Sequence, residues 1–285
     1  MKTTTAITDR AFGIFFLSAA IILFELSLIR IYSVILFYHF AFMAVSVAML
    51  GLAIAGLVVY KLPHRFTSER LPKWASFWTS LFALSLPIVL NIVFRIRVNP
   101  YLSPPDIATQ LTAIYLLSTI PFIFAGVVVC GLFVTAGQEV GCIYGGDLAG
   151  AGLGALSIIP LIRAVGGESV VWYVSALAFT GAFFFTTVPR RPLFLMLSAM
   201  MIGFGLTNPL FGWVKIIYSK TYRLEQLEIH YNRWNAFSRV MAIPFRPGTD
   251  AAYTWAPSPR YPLPQVEHLS LMFDDGAASP VIPFD

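Results

Sequence analysis

The sequence predicts an all-α membrane domain of about seven transmembrane helices over residues 1–213, followed by a short β-rich, Pro-rich soluble tail over residues 214–285. Three observations predict it. Charged residues make up only 12% of the 285, hydrophobic residues 58%, and mean hydropathy is +0.76, whereas an average soluble domain carries about 25% charge. Long runs free of Asp, Glu, Lys and Arg recur from the N-terminus to Val214. Beyond Val214 the composition turns polar and mixed. Together these exclude an ordinary soluble globular protein, a disordered tail and a collagen-like repeat. The net charge of +5 does not point to nucleic acid, because the Lys and Arg residues lie mostly at the ends of apolar runs, where they serve a membrane protein. The expected partner is the lipid bilayer. Cys130 and Cys142 are too few for a disulfide scaffold or a four-ligand zinc site.

A hydrocarbon core about 30 Å thick takes roughly 20 helical residues to cross. Five runs meet that length: Ile31–Tyr60, Trp74–Phe94, Ile107–Gln138, Ser169–Pro189 and Pro192–Val214. Two more are compromised. Ala11–Ile29 holds Glu25, and Leu148–Ile162 is pinched between Asp147 and Arg163, so it borrows residues from Cys142 onward. Met1 to Arg10 followed by an apolar stretch mimics a secretory signal. No small-x-small cleavage site follows, and a retained first helix is the reading. Lys and Arg near the span ends number eight on the N-terminal side and seven on the other, which does not set the orientation. The dense Lys61–Lys73 loop favours a cytoplasmic N-terminus, which with seven spans puts the tail outside.

In the tail, Leu227, Ile229 and Tyr231, and again Leu269, Leu271 and Phe273, alternate at period 2 and read as short strands. Between them Pro244, Pro247, Pro257, Pro259, Pro262 and Pro264 break regular structure, and Asp274-Asp275-Gly276 marks a turn. The segment ends on Val281-Ile282-Pro283-Phe284-Asp285 and is expected to be the incomplete lead-in to a larger domain.

Candidate functional residues are few. Glu25 costs on the order of 3 kcal/mol in a span unless it finds a partner or a polar cavity. Arg30, five residues on, lies about 140° round the helix and is not its i,i+4 partner. The pair marks either an intramembrane polar site or a structural feature, with Arg30 snorkelling to the interface. His39, in Tyr38-His39, reads as an interfacial ring. Gly137, Gly141 and Gly145, and likewise Gly146, Gly150 and Gly154, recur every four residues and predict a smooth helix-packing stripe. Gly150-Ala151-Gly152-Leu153-Gly154-Ala155 also fits G-x-G-x-x-A, but no strand precedes it. Asp147 is expected to cap the head of this helix, with Arg30 or Arg163 as alternative partners. No zinc spacing, P-loop, nucleophile elbow or paired-carboxylate arrangement is present.

Several segments together resemble a known group. Phe24-Glu25-Leu26-Ser27-Leu28-Ile29-Arg30-Ile31-Tyr32-Ser33, Tyr38-His39-Phe40-Ala41-Phe42 and Leu50-Gly51-Leu52-Ala53 resemble the opening spans of the bacterial spermidine synthase-like proteins that carry an N-terminal membrane domain. Ile143-Tyr144-Gly145-Gly146-Asp147-Leu148-Ala149-Gly150-Ala151-Gly152-Leu153-Gly154 resembles that group's Tyr-x-x-Asp-Leu-x-Gly-Ala helix. Arg233-Trp234-Asn235-Ala236-Phe237-Ser238-Arg239-Val240 resembles the strand at which the catalytic domain begins. The resemblance covers nearly the whole chain. It implies a class I methyltransferase-type domain after the membrane part, using S-adenosylmethionine or its decarboxylated form to transfer an aminopropyl or methyl group. It also implies a bacterial inner-membrane location. The Gly-rich turn and acidic residues that would hold such a nucleoside are absent from this sequence. No catalytic, cofactor-binding or metal residue carries over, and the chain alone is expected to be inactive. A partner methyltransferase-like domain, downstream or separately encoded, would supply the chemistry. Two further readings compete: a transporter with a polar site around Glu25, Arg30, His39 and Asp147, and a scaffold that anchors a partner through its tail. A cytoplasmic catalytic domain sits awkwardly with seven spans and an inside N-terminus.

Overall fold

The computed structural model describes residues 2–98, 103–220, 222–244 and 269–281. Among them seven α-helices form: α1 Lys2–Ile35, α2 Met43–Lys61, α3 Leu71–Val93, α4 Pro104–Thr135, α5 Val140–Val165, α6 Val170–Phe185 and α7 Arg191–Phe211. Six have the length and apolar composition to cross a membrane, which marks a multi-pass membrane protein, and α6 is a shorter apolar helix of 16 residues. Local chemistry sets several ends. Proline occupies the first turn of α3, α4 and α7, where its missing N–H costs nothing. Gly166 (φ 81°) and Gly212 (φ 61°) end α5 and α7 in backbone conformations that side-chain-bearing residues avoid.

Cross-helix contacts fix the directions. Asp9 meets Arg191, Arg10 meets Glu139, and Gly13 lies against Phe185, so the start of α1, the α4–α5 turn and the α6–α7 turn share one end. Ile35, Phe94 and Glu168 share the other end, where each touches the tail. The seven helices therefore alternate in direction, with six reversals between them. The N-terminus and the tail lie at opposite ends of the bundle.

The core runs through α1, α3, α4 and α6. Phe24 packs on Phe122 with ring centroids 5.3 Å apart, and the Tyr32 hydroxyl donates to Ser118 Oγ at 2.5 Å. Eleven of the 16 residues of α6 are buried. At 1.5 Å per residue this helix is about 24 Å long, short of the roughly 30 Å hydrocarbon core. Enclosure by α1, α3 and α7 removes the need to match lipid thickness, because its ends are satisfied by protein. Asn208 of α7 does this at the N-terminal end of α6. Its Nδ2 donates to Ser169 Oγ and to the Val214 carbonyl, both at 3.0 Å. Its Oδ1 accepts from Val214 N at 2.8 Å and from Trp172 Nε1 at 3.3 Å.

Several sequence expectations are corrected. The division between the first two spans is at Leu36–Phe42, not at Arg30, because α1 continues through Arg30 to Ile35. Apolar residues on both sides keep the helix going, and one charge does not stop it. The Gly-rich helix is a full 26 residues starting at Val140, whereas Ser169–Pro189, expected as a firm span, holds the shortest helix. Asp147 is accordingly eight residues into α5 and does not cap its head, where Glu139 stands.

The tail opens with a small hairpin, β1 Tyr218–Ser219 with β2 Tyr222–Arg223. A four-stranded antiparallel meander follows: β3 Tyr231–Trp234, β4 Arg239–Pro244, β5 Leu269–Phe273 and β6 Ala277–Val281, in that spatial order. Leu227 and Ile229 precede β3 rather than forming a strand, since Leu224–Gln226 makes a 3-10 turn instead. Asp274-Asp275-Gly276 is the β5–β6 turn, with Asp274 and Asp275 at φ 47° and 53° and Gly276 N donating to Phe273 O at 3.1 Å. Pro247, Pro257, Pro259, Pro262, Pro264 and residues 282–285 lie outside the described residues.

Candidate functional site

Helices end with carbonyls that have no partner within the helix. At the tail end of the bundle the tail itself supplies the donors. Lys220 N donates to Ile35 O at 2.8 Å, Ser219 Oγ to Val34 O at 3.0 Å, and Ile217 N and Tyr218 N to Phe94 O at 3.2 Å. The first hairpin thus closes the ends of α1 and α3.

The sheet docks beside it through the segment Arg233–Arg239. Asn235 Oδ1 accepts from the backbone N–H groups of Phe237 and Ser238, both at 2.7 Å, a side-chain turn that shapes the β3–β4 hairpin. Phe237 stands exposed at the tip. Strand alternation turns Trp234 inward, onto Gly166-Gly167 at the α5–α6 turn. A Cβ on Gly167 would lie 2.5 Å from the indole, so only glycine admits this ring. Trp234 Nε1 donates to Glu168 Oε2 at 3.0 Å.

Arg239 is the centre of the junction and is buried. Its Nε donates to Asn232 Oδ1 at 3.0 Å, Nη1 lies 3.3 Å from Asp275 Oδ2, and Nη2 lies 3.6 Å from Glu168 Oε1. The guanidinium carbon sits 5.8 Å from the Trp234 ring centroid. Its backbone N–H donates to Asp274 Oδ1 at 2.7 Å, and Asp274 N returns a bond to Arg239 O at 2.9 Å. Lys220 Nζ bonds the Asp274 carbonyl, and Arg30 at the end of α1 feels the Asp274 carboxylate. Three cations (Arg30, Lys220, Arg239) therefore face three carboxylates (Glu168, Asp274, Asp275), so the junction is electrically balanced. Ser219 sits beside Asp275, but its one proton goes to Val34, which leaves Asp275 Oδ1 without a donor among the described residues. Burial pushes the Asp275 carboxyl above the usual carboxylate range, with Arg239 beside it opposing. Burial pushes the Lys220 ammonium down, against the pull of Asp275 and Asp274.

Alongside the junction lies a pocket of about 500 Å³ between the α5–α6 turn, the end of α7 and β3. Arg163, Lys215 and Arg233 line it, with Asn208 and Trp234 at its wall. It also holds the Glu168 carboxylate and the Ser169 and Tyr173 hydroxyls, and Ser169 Oγ is engaged by Asn208 rather than by a base. Among the described residues, no group of three or more His, Cys, Asp and Glu side chains could hold a metal.

The intramembrane candidates do not converge. Asp147 accepts a hydrogen bond from Ser18 on α1. Arg30 lies twelve residues further along α1, about 18 Å by helix rise, with Nε and Nη2 buried and without a hydrogen-bond partner among the described residues. Glu25, between them, is half-buried and pairs with neither. His39 is exposed in a 3-10 turn after α1, its ring 5.8 Å from Phe37 and 4.6 Å from Tyr38. The glycines have a defined place. Gly146, Gly150 and Gly154 face the carbonyls of Ala11, Phe15 and Ala19 on the parallel helix α1. A Cβ would come within 2.6 Å of Ala11 O and 2.5 Å of Ala19 O, and closer still to Phe15 O. Gly137, Gly141 and Gly145 have no described atom within 4 Å of where a Cβ would stand.

Sequence reasoning does not single out Glu168 or Asn208, and it reads Asp275 only as part of a turn. Glu168 had one available signal, as the only acid in the short connection between two apolar runs. Comparison with known proteins adds no relative: no protein-family model, curated protein or solved structure matches the chain.

Proposed function

We propose that this chain is the integral-membrane portion of a spermidine synthase-like protein, and that its bundle is a rigid seat for a methyltransferase-type catalytic domain. The observation that carries this reading is the docking of the Arg233–Arg239 hairpin. The segment that resembles the start of a catalytic domain is clamped to the α5–α6 turn by Trp234, Glu168, Arg239 and Asp275. A freely hinged tail would not need a buried ionic junction. The outer strand β6 adds support, because Ala277, Ala278, Ser279 and Val281 are exposed along an edge that pairs with no further strand among the described residues. In this reading S-adenosylmethionine or its decarboxylated form binds in the seated domain, not in residues of this chain. The membrane is then the bacterial cytoplasmic membrane and the tail end faces the cytoplasm, which reverses the orientation that the Lys61–Lys73 loop favours.

The test is affinity purification from native membranes with an antibody against the loop at 61–73. A polypeptide with the methyltransferase fold, on the same chain or a separate one, should be recovered and should bind S-adenosylmethionine. Trp234→Ala should release a separate partner, or leave a covalently linked domain accessible to protease. Recovery of a 31.5 kDa species alone, together with solute uptake that Glu25→Ala abolishes, would replace this reading with the transporter.

A further inference from the structure

We infer that the opposite end of the bundle holds a binding site for the headgroup of an anionic phospholipid. The site is a pocket of about 590 Å³ at the α2–α3 connection, with two unlike halves. His64, Arg65, Arg70 and Lys73 form a polar rim, and Val58, Leu62, Phe66, Trp74, Phe77 and Trp78 form an apolar wall.

The loop between the helices is built, not slack. Two 3-10 turns, Pro63–Arg65 and Ser68–Arg70, set its course. Phe66 is buried edge-on against Trp74 at 5.4 Å, Trp74 Nε1 donates to Thr67 O at 3.1 Å, and Ser68 Oγ donates to Thr135 O at 3.3 Å. Gly131 lets the Trp74 ring approach α4, since a Cβ there would lie 2.8 Å from the indole. This scaffold holds Arg65, Arg70 and Lys73 around one cavity. Among the described residues none of the three side chains has a hydrogen bond or ion pair, and Glu69, the loop's one carboxylate, does not line the pocket. Three cations gathered around a cavity that no described carboxylate lines repel one another, and a bound phosphate would relieve this.

Position selects the source of that phosphate. The pocket sits where the spans Tyr38–Lys61 and Ser68–Val93 end, and Phe77, 57% exposed, extends its wall onto the lipid-facing surface. A free phosphate ion would have no use for six apolar side chains. A phospholipid places its phosphate among the cations and its glycerol and upper acyl chain against Trp78 and Phe77, the arrangement by which basic pockets at helix ends recognise acidic lipids.

Trp74 and Trp78 make the site measurable. Four other tryptophans also fluoresce, so the site's signal is the difference between the full chain and a variant with Trp74→Phe and Trp78→Phe. The full chain is reconstituted in vesicles of brominated phosphatidylglycerol mixed with phosphatidylcholine, and quenching of tryptophan fluorescence gives the relative affinity of the two lipids. The expected result is a preference for phosphatidylglycerol, reduced on the order of fivefold for each charge neutralised in Arg65→Gln, Arg70→Gln and Lys73→Gln. It should be retained in Arg65→Lys and Arg70→Lys. The single variants serve if the triple one does not fold. Equal quenching by both lipids, or an unchanged preference in every neutralised variant, overturns the site. Loss of the preference on adding millimolar inorganic phosphate at constant ionic strength overturns the lipid assignment in favour of a free anion.

Discussion

At the end of the bundle that holds the N-terminus, Arg10 meets Glu139 at 3.0 Å and Arg191 meets Asp9, and these side chains keep 20–35% of their surface in solvent. At the tail end, Arg239 and Asp275 meet at 3.3 Å with 3% and 0% exposed. The residue types are nearly the same, and solvation separates them. Exposed pairs gain little, because water already stabilises each charge. Buried charges must be matched, because an isolated one is expensive. The tail end has as many carboxylates as cations at its junction, while the N-terminal end leaves Arg65, Arg70 and Lys73 unmatched in the open. The buried junction is therefore built to hold a piece of protein in one orientation, and the α2–α3 loop is free to attract an anion from outside.

The largest test of that contrast is Arg239→Ala. It strands Asp275 and Glu168 without their shared cation, a loss of about 3–5 kcal/mol for a buried pair broken on one side. Amide hydrogen exchange should show the meander losing protection while α1 and α6 keep theirs. Undiminished protection in β3–β5 would mean that apolar contacts, not the ionic junction, hold the tail.

Next in size is a change that belongs to neither end. Gly150→Ala puts a methyl group into the carbonyl of Phe15, and relieving that overlap should cost about 1–3 kcal/mol. Gly152→Ala meets open space and should be neutral or stabilise α5 by up to about 1 kcal/mol. Thermal unfolding in detergent compares the two. Equal effects would show that helix propensity, rather than close approach of α1, governs this seam.

That seam was legible because Gly146, Gly150 and Gly154 recur every four residues on one helix face. The same period at Gly137, Gly141 and Gly145 marks no described contact, so the spacing alone does not say which face is packed. The membrane class and the turn at Asp274–Gly276 were legible for the same kind of local reason. The boundary at Leu36–Phe42 was not, because Arg30 interrupts hydropathy without interrupting the helix. Nor was the short length of α6, since enclosure by α1, α3 and α7 is a tertiary fact. The junction was half legible. Arg233–Arg239 stood out as a segment, but Glu168 and Asp275 join it only through folding, across 71 and 36 residues from Arg239.

A smaller effect concerns protons. The folded Asp275 pKa is raised, so the unfolded chain gives up this proton first as pH rises. Its contribution to tail docking is then largest below the ordinary carboxylate range and is lost as pH climbs through the raised folded value. Protease resistance of the tail should fall over that window more in the wild type than in Asp275→Asn. Identical profiles would mean that Asp275 keeps its charge throughout, fully paired with Arg239.

The smallest effect is expected at the N-terminal end, and it decides whether solvation is the right explanation. Arg10→Gln removes a pair that water partly screens, so unfolding in detergent should shift by less than about 1 kcal/mol. Salt sharpens the test. At about 1 M ionic strength the screening length falls to roughly 3 Å, and the difference between Arg10→Gln and wild type should vanish. The Arg239→Ala difference should persist, because ions do not enter the junction. If both differences survived high salt, Arg10 and Glu139 would be acting as a buried pair. The N-terminal end would then be a second clamp, with the unmatched cations of the α2–α3 loop beside it.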